Sequence, residues 1–255
     1  MNFLAISVGN SRTRFGTFLN DELSDSKAVV NANFHTVADQ LKASYRLIAD
    51  DEMPVIVTSS TSAPILERIM HEVGKLQARV VRVDKDLPIP IGRQLDREAI
   101  VGEDRLLNAA AAYDVLRQAC VIVDAGTAIT VDFVDGAGTF HGGAIAPGAN
   151  LMLDSLARGT AQLPEVPFAR PLEPLGHNTL EAMRTGVFHA MRGLVRELTE
   201  QYAEIAGAYP MVVATGGDAE ALFEGFELVE RIVPDLTLMG MRLTVLGPKE
   251  ASDEQ

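Results

Sequence analysis

One pattern occurs twice in this chain, and it limits the possible fold more than any other feature. Residues 3–16 read Phe-Leu-Ala-Ile-Ser-Val-Gly-Asn-Ser-Arg-Thr-Arg-Phe-Gly, and residues 120–133 read Cys-Val-Ile-Val-Asp-Ala-Gly-Thr-Ala-Ile-Thr-Val-Asp-Phe. Each is an apolar strand, a small or acidic residue, a glycine turn and a second strand. In this register Ser7 lies over Asp124, Gly9 over Gly126 and Asn10 over Thr127. A tight turn between strands presents consecutive backbone N–H groups, and glycine lets a phosphate approach them. A single Gly-Asn-Ser is most simply a hairpin turn. The repeat, about half a chain apart, predicts two duplicated lobes closing on one polyphosphate rather than a stacked array.

The flanking sequence supports an α/β class. Strand signals at 3–7, 13–19, 54–59 and 78–84 alternate with helix signals at 36–49 and 64–75. Residues 85–101 read as a connecting loop, and a helix over about 103–119 carries the stripe Leu106, Leu107, Ala110 and Tyr113. The plan then repeats, with strands at 120–124, 128–134 and near 139–146 and a helix at about 150–158. A proline-rich loop at 159–178 leads into a long helix over about 179–206. Its apolar face holds Met183, Val187, Met191, Leu194, Leu198 and Tyr202. A strand at 210–215 runs into Gly216-Gly217-Asp218, and the acidic tail after Pro248 reads as frayed. The lobes are expected over 1–115 and 116–255.

Composition excludes several function classes. A net charge of −13 argues against nucleic acid as the main partner, because backbone binding needs a basic surface. It leaves ATP open, since a nucleotide site can be built from backbone N–H groups and cations. The first residues read as a strand rather than a signal peptide, and no apolar run reaches transmembrane length. These features predict a cytoplasmic protein without a membrane partner. Cys120 is the sole cysteine and reads as a buried, inert thiol. The five histidines lack metal-ligand spacing, and there is neither a nucleophile elbow nor a Walker-type loop.

Three constellations carry chemistry, each with a plainer reading beside it. Gly102-Glu103-Asp104-Arg105 opens a helix, where acidic residues simply suit the positive dipole end. Alternatively, Asp104 is a carboxylate base with Arg105 holding an anion. Asp124, before Ala125-Gly126-Thr127, either bonds turn N–H groups or faces a cation near phosphates. Thr215-Gly216-Gly217-Asp218 either admits a purine or phosphate or caps a helix through Asp218.

Taken together, these motifs resemble the type III pantothenate kinases, a family of the actin-like ATPase superfamily with duplicated ribonuclease H-like lobes and an active site between them. The resemblance runs in order through Val8-Gly9-Asn10-Ser11, Gly102-Glu103-Asp104-Arg105 and Val123-Asp124-Ala125-Gly126-Thr127-Ala128. It continues through Gly142–Gly148, Thr160–Pro164, Asn178-Thr179, Thr215–Ala219 and Pro234-Asp235-Leu236-Thr237-Leu238. It implies ATP-dependent phosphorylation of pantothenate, the first step toward coenzyme A. It also implies a homodimer, Mg2+, and a monovalent cation, K+ or NH4+. By position Asp104 matches the family's general base and Asp124 its monovalent-cation ligand. Ser7, Val8, Gly9, Asn10, Ser11, Arg12, Thr13, Arg14 and Thr127 match ATP-contacting positions. Gly102, Glu103, Asp104, Arg105 and Thr179 match pantothenate-contacting positions.

The first turn departs from the family pattern, because Ser7 stands where an aspartate belongs and Arg14 where lysine is frequent. Serine is a poorer ligand for a hard cation. This departure leaves a second function open, a weakened homologue that binds nucleotide or pantothenate as a regulatory or accessory protein. A kinase for another small alcohol is a third. The long helix at 179–206, with its apolar face, is expected near the dimer interface.

Overall fold

Alternating apolar residues in β1 (Phe3–Val8) build the first core. Leu4, Ile6 and Val8 point to one face, as the two-residue period of a strand requires. They pack with Phe15, Val37, Leu41, Ile56, Ile69 and Val73. Those partners come from β2 (Arg12–Leu19), α1 (Phe34–Tyr45), β4 (Val55–Ser60) and α2 (Ala63–Val73). On the opposite face Phe3 stacks on Phe18 with ring centroids 4.5 Å apart. With β3 (Glu22–Val30) and β5 (Arg79–Arg82) the strands form a sheet ordered β3-β2-β1-β4-β5. The pairs β1/β2 and β2/β3 are antiparallel, and β1/β4 and β4/β5 are parallel. Asn20 and Asp21, both at positive φ, make the tight β2–β3 turn.

The computed structural model describes residues 1–247, so the acidic tail after Pro248 lies outside the described residues. The chain divides into two compact units. The first contains Met1–Ile91, Arg97–Asp114 and residues 235–247, and the second contains Gly92–Asp96 and Val115–Pro234.

The second unit repeats the first strand for strand. Its sheet joins β6 (Gly92–Arg93), β7 (Cys120–Ala125), β8 (Ala128–Val134), β9 (Thr139–Pro147), β10 (Met211–Thr215) and β11 (Arg231–Ile232). The order is β6-β9-β8-β7-β10-β11. Apart from the added β6, this matches the first sheet, with antiparallel β7/β8 and β8/β9 and parallel β7/β10 and β10/β11. The duplication expected from the paired turns is therefore present in the topology.

Two expectations are corrected. The sequence reading ran the second lobe over 116–255, whereas residues 235–247 belong to the first unit. There α7 (Leu236–Leu246) is tied to α3 (Glu103–Leu116) by a hydrogen bond from Thr237 Oγ1 to Asn108 Oδ1, 2.8 Å. Arg242 Nε donates to the carbonyl of Asp21 at 2.5 Å. The second correction concerns α5 (Thr179–Ala206), whose apolar stripe was expected near a dimer interface. Met183, Val187 and Met191 instead lie inside the second unit's core with Val121, Val123, Ile129 and Val131, and Leu194, Leu198 and Tyr202 pack at its margin. A helix of 28 residues lying on one face of a sheet spends its stripe internally.

Cys120 is fully buried at the start of β7, and burial pushes its thiol up to about 12, as expected for an inert packing residue. Among the described residues no helix is long and apolar enough to cross a membrane.

Candidate active site

In the first unit the expected residues gather at the carboxyl ends of β1 and β4. Ser7 sits opposite Arg14 across the β1–β2 ladder and opposite Ser59 across β1–β4. The turn that follows is closed by Gly9 N–H donating to the Arg12 carbonyl at 3.0 Å. Asn10, Ser11 and Arg12 are exposed at its tip. Not every residue of the 7–14 segment can present its side chain to a ligand. Val8 is 1% exposed and belongs to the core, leaving only its backbone to contribute. Thr13 is fully buried, and its hydroxyl donates to Asn31 Oδ1 at 2.7 Å. Arg14 is held by Asp235, Nη1 to Oδ1 at 2.6 Å, and Ser26 Oγ donates to the same oxygen at 2.7 Å. The first residue of the Pro234–Leu238 motif to act through its side chain is therefore a carboxylate that fixes the arginine of the turn.

The helix start at 102–105 stands beside this turn because Glu103 reaches β4. Its Oε2 accepts from Ser59 Oγ at 2.8 Å and from Ser60 N–H at 3.0 Å. Glu103, expected to contact substrate, thus has a carboxylate oxygen committed to locking α3 onto the strand. Asp104 Oδ1 accepts from the N–H of Arg105 at 2.9 Å. Desolvation outweighs that bond and the nearby Arg105 charge, and the carboxyl is raised above its ordinary value. Gly102 leaves room for it, since a β-carbon there would stand 2.5 Å from Asp104 Oδ1. A carboxylate that is oriented, partly desolvated and more basic than usual has the properties of a general base.

The second unit builds the equivalent place at the ends of β7 and β10. Asp124 lies opposite Thr130 on β8 and Thr215 on β10, as Ser7 lies opposite Arg14 and Ser59. Its turn is one residue shorter than the first, with Gly126 N–H donating to the Ala128 carbonyl at 2.9 Å. Two glycines brace it by close approach. A β-carbon on Gly148 would strike the Gly126 carbonyl, and one on Gly216, at φ +99°, would strike that of Ala125. Asp218 N–H also donates to the Ala125 carbonyl at 2.9 Å. The Thr215–Asp218 motif thereby supports the turn with its backbone. Thr127 is exposed at the tip. Thr179 is the first residue of α5, at a helix end where Asn178 Oδ1 accepts from Glu181 N–H at 3.0 Å.

Sequence reasoning missed Asn31, Ser26, Ser59 and Ser60, and Asn31 carried no signal beyond a polar residue just after a strand. Among the described residues no group of three or more His, Cys, Asp or Glu side chains could enclose a metal ion.

Comparison with known proteins places this geometry in a class and then in a family. A Campylobacter jejuni structure described as a Baf family transcriptional activator superposes with a TM-score of 0.62 at 18% identity, covering 95% of this chain and 97% of that one. The Acidaminococcus fermentans (R)-2-hydroxyglutaryl-CoA dehydratase component A gives 0.51 at 14% identity, covering 96% of each chain. The duplicated fold is that of the actin-like ATPases. The model of the type III pantothenate kinases matches residues 3–201. A type III pantothenate kinase of Rhodospirillum rubrum is 37% identical over 93% of this chain and 95% of its own length. One from Frankia alni is 34% identical over 94% and 97%. The chain belongs to the type III pantothenate kinase family.

Proposed function

We propose that this protein transfers the γ-phosphoryl group of ATP to the primary hydroxyl of pantothenate, the reaction that opens coenzyme A synthesis. The observation that carries the mechanism is Asp104, which is oriented by the Arg105 N–H, given room by Gly102 and made more basic by burial. It accepts the hydroxyl proton as the substrate oxygen attacks the γ-phosphorus in line. Positioning and charge neutralisation provide the rest of the rate, as in other phosphoryl transfers. In the first unit the turn at 9–12 offers backbone N–H groups suited to phosphate, and in the second unit the turn at Gly126-Thr127 offers the same. Arg105 supplies a cation beside the base, and Gly102 and Thr179 are the remaining pantothenate contacts.

A bound Mg2+ would neutralise phosphate charge. The donor set suits an ion held mainly by phosphates and water, because Ser7 offers a hydroxyl where a carboxylate is usual. Asp124 would hold the monovalent cation, K+ or NH4+. Thr130, directly opposite it on β8, has a buried hydroxyl without a protein partner, a donor such an ion can use. The reading takes the enzyme to be cytoplasmic and homodimeric. Ile145, Leu172 and Leu175 of the second unit, all strongly exposed, support a partner surface better than the buried face of α5. ADP release measured with pantothenate, with K+ and NH4+ varied, tests the reading. ATP binding without pantothenate-dependent turnover would favour the binding-protein alternative.

A further inference from the structure

The kinase reading requires the turn at 9–12 to present N–H groups outward, and the residue that shapes the turn has so far been given no role. Asn31 follows β3 and is 6% exposed. Its Nδ2 donates to the carbonyls of Gly9, 2.8 Å, and Asn10, 3.1 Å. Its own backbone N–H donates to the carbonyl of Ser11 at 2.9 Å. Its Oδ1 accepts from the buried Thr13 hydroxyl at 2.7 Å, which fixes the amide so that its N–H groups face the turn. Asn31 therefore gathers three consecutive carbonyls. In a trans peptide the C=O and the following N–H point to opposite sides. Drawing the carbonyls of Gly9, Asn10 and Ser11 inward turns the N–H groups of Asn10, Ser11 and Arg12 outward, the arrangement that makes an anion nest. All three of those residues are exposed.

We infer that Asn31, set by Thr13, is a positioning residue for the ATP polyphosphate and acts through the backbone of residues 9–12. This inference rests on the kinase reading above. The alternative is a staple that only stabilises the hairpin.

The test uses the full chain with N31A, N31D and T13V. N31A removes both amide donors. N31D keeps the acceptor for Thr13 but sets a carboxylate against two carbonyls. T13V frees the amide to rotate. Steady-state constants are measured for ATP and pantothenate separately, with calorimetry of a non-hydrolysable ATP analogue and a melting curve for each variant. Losing hydrogen bonds that shape a binding turn is expected to raise the KM for ATP and the Kd of the analogue about ten- to hundredfold in N31A. The KM for pantothenate should stay within about twofold, since the turn contacts only the nucleotide in this reading. N31D should be at least as impaired, and T13V should show a smaller rise of the same selectivity. A folded N31A or T13V with a lowered melting temperature and unchanged analogue affinity would overturn the inference. So would an equal rise in both KM values. If N31A does not fold, T13V decides. If the wild type binds the analogue but does not phosphorylate pantothenate, the kinase reading fails. The selective loss of nucleotide affinity in the variants then still supports Asn31. A wild type that binds no nucleotide overturns both.

Discussion

Asp104→Asn separates the chemistry of the proposed base from its structural role. The amide is isosteric with the carboxylate, and its oxygen can still accept from the Arg105 N–H, the 2.9 Å bond that orients the side chain. Gly102 leaves room for either group. What disappears is the capacity to take a proton. Loss of a positioned general base costs about two to four orders of magnitude in rate, or ~3–5 kcal/mol in the transition state. Stability should move the other way. Burial raises the folded-state pKa of Asp104 above 3.8, so the folded protein binds this proton more tightly than the unfolded chain does. The resulting stabilisation is complete below the unfolded value and is lost as pH rises through the folded one. At neutral pH the ionised group is a burden that asparagine relieves. D104N should therefore turn over far more slowly yet melt at a higher temperature at pH 7–8. The advantage should shrink as pH falls toward the window just above 3.8. Wild-type kcat should fall in acid with a midpoint above that ordinary value. Coupled ADP release and melting curves across pH read both effects. Near-native turnover in D104N removes Asp104 from the mechanism, and a lower melting temperature at neutral pH refutes the burial argument.

Three other substitutions probe the remaining assignments. Ser7→Asp should raise turnover and lower the magnesium concentration needed, because a carboxylate meets a hard cation better than a hydroxyl does; unchanged magnesium dependence would make Ser7 a neutral replacement. Gly148→Ala sets a β-carbon against the Gly126 carbonyl, and the overpacked turn should cost about 1–3 kcal/mol in denaturant melts with a raised KM for ATP. Met191→Ala should destabilise the fold by about 2–5 kcal/mol, as expected for a fully buried core side chain, while light scattering shows the same oligomeric state as the wild type. A change of oligomeric state without loss of stability would return Met191 to an interface.

The duplicated plan was legible because both halves spell it in residues with strong local preferences, apolar strands broken by glycine. The long helix at 179–206 was legible for the same reason, but the loop read over 85–101 contains the short strand β6, paired with β9. β3 was not, because Glu22-Leu-Ser-Asp-Ser-Lys-Ala-Val-Val is a polar edge strand with little burial to imprint a pattern. Nor was α7, whose sequence Leu-Thr-Leu-Met-Gly-Met-Arg-Leu-Thr-Val-Leu is apolar on most sides and lacks a readable period. The α5 stripe revealed that Met183 and Met191 are covered, but periodicity does not say by what. Asp104 and Asp124 could be proposed from the sequence because motif and position agree. Asn31 and the Arg14–Asp235 pair could not, since each depends on contacts between residues distant in sequence that only the folded chain brings together.

The return of α7 to the first unit has a consequence for how the protein is made. Asp235, 221 positions beyond Arg14, completes the wall of the turn that begins the chain. During synthesis the amino-terminal sheet emerges first but stays without its last helix until the ribosome has delivered the whole second unit. That unit has all its strands and α5 by Pro234, before any of α7 has been made. Closing so long a span adds little entropic cost beyond a shorter one, because the penalty grows only with the logarithm of length. It does impose an order, since domains fold as units once their residues are available. A chain that stops short of residue 235 cannot pair Arg14 with Asp235. The arginine of the first turn is set only after the second unit has been made.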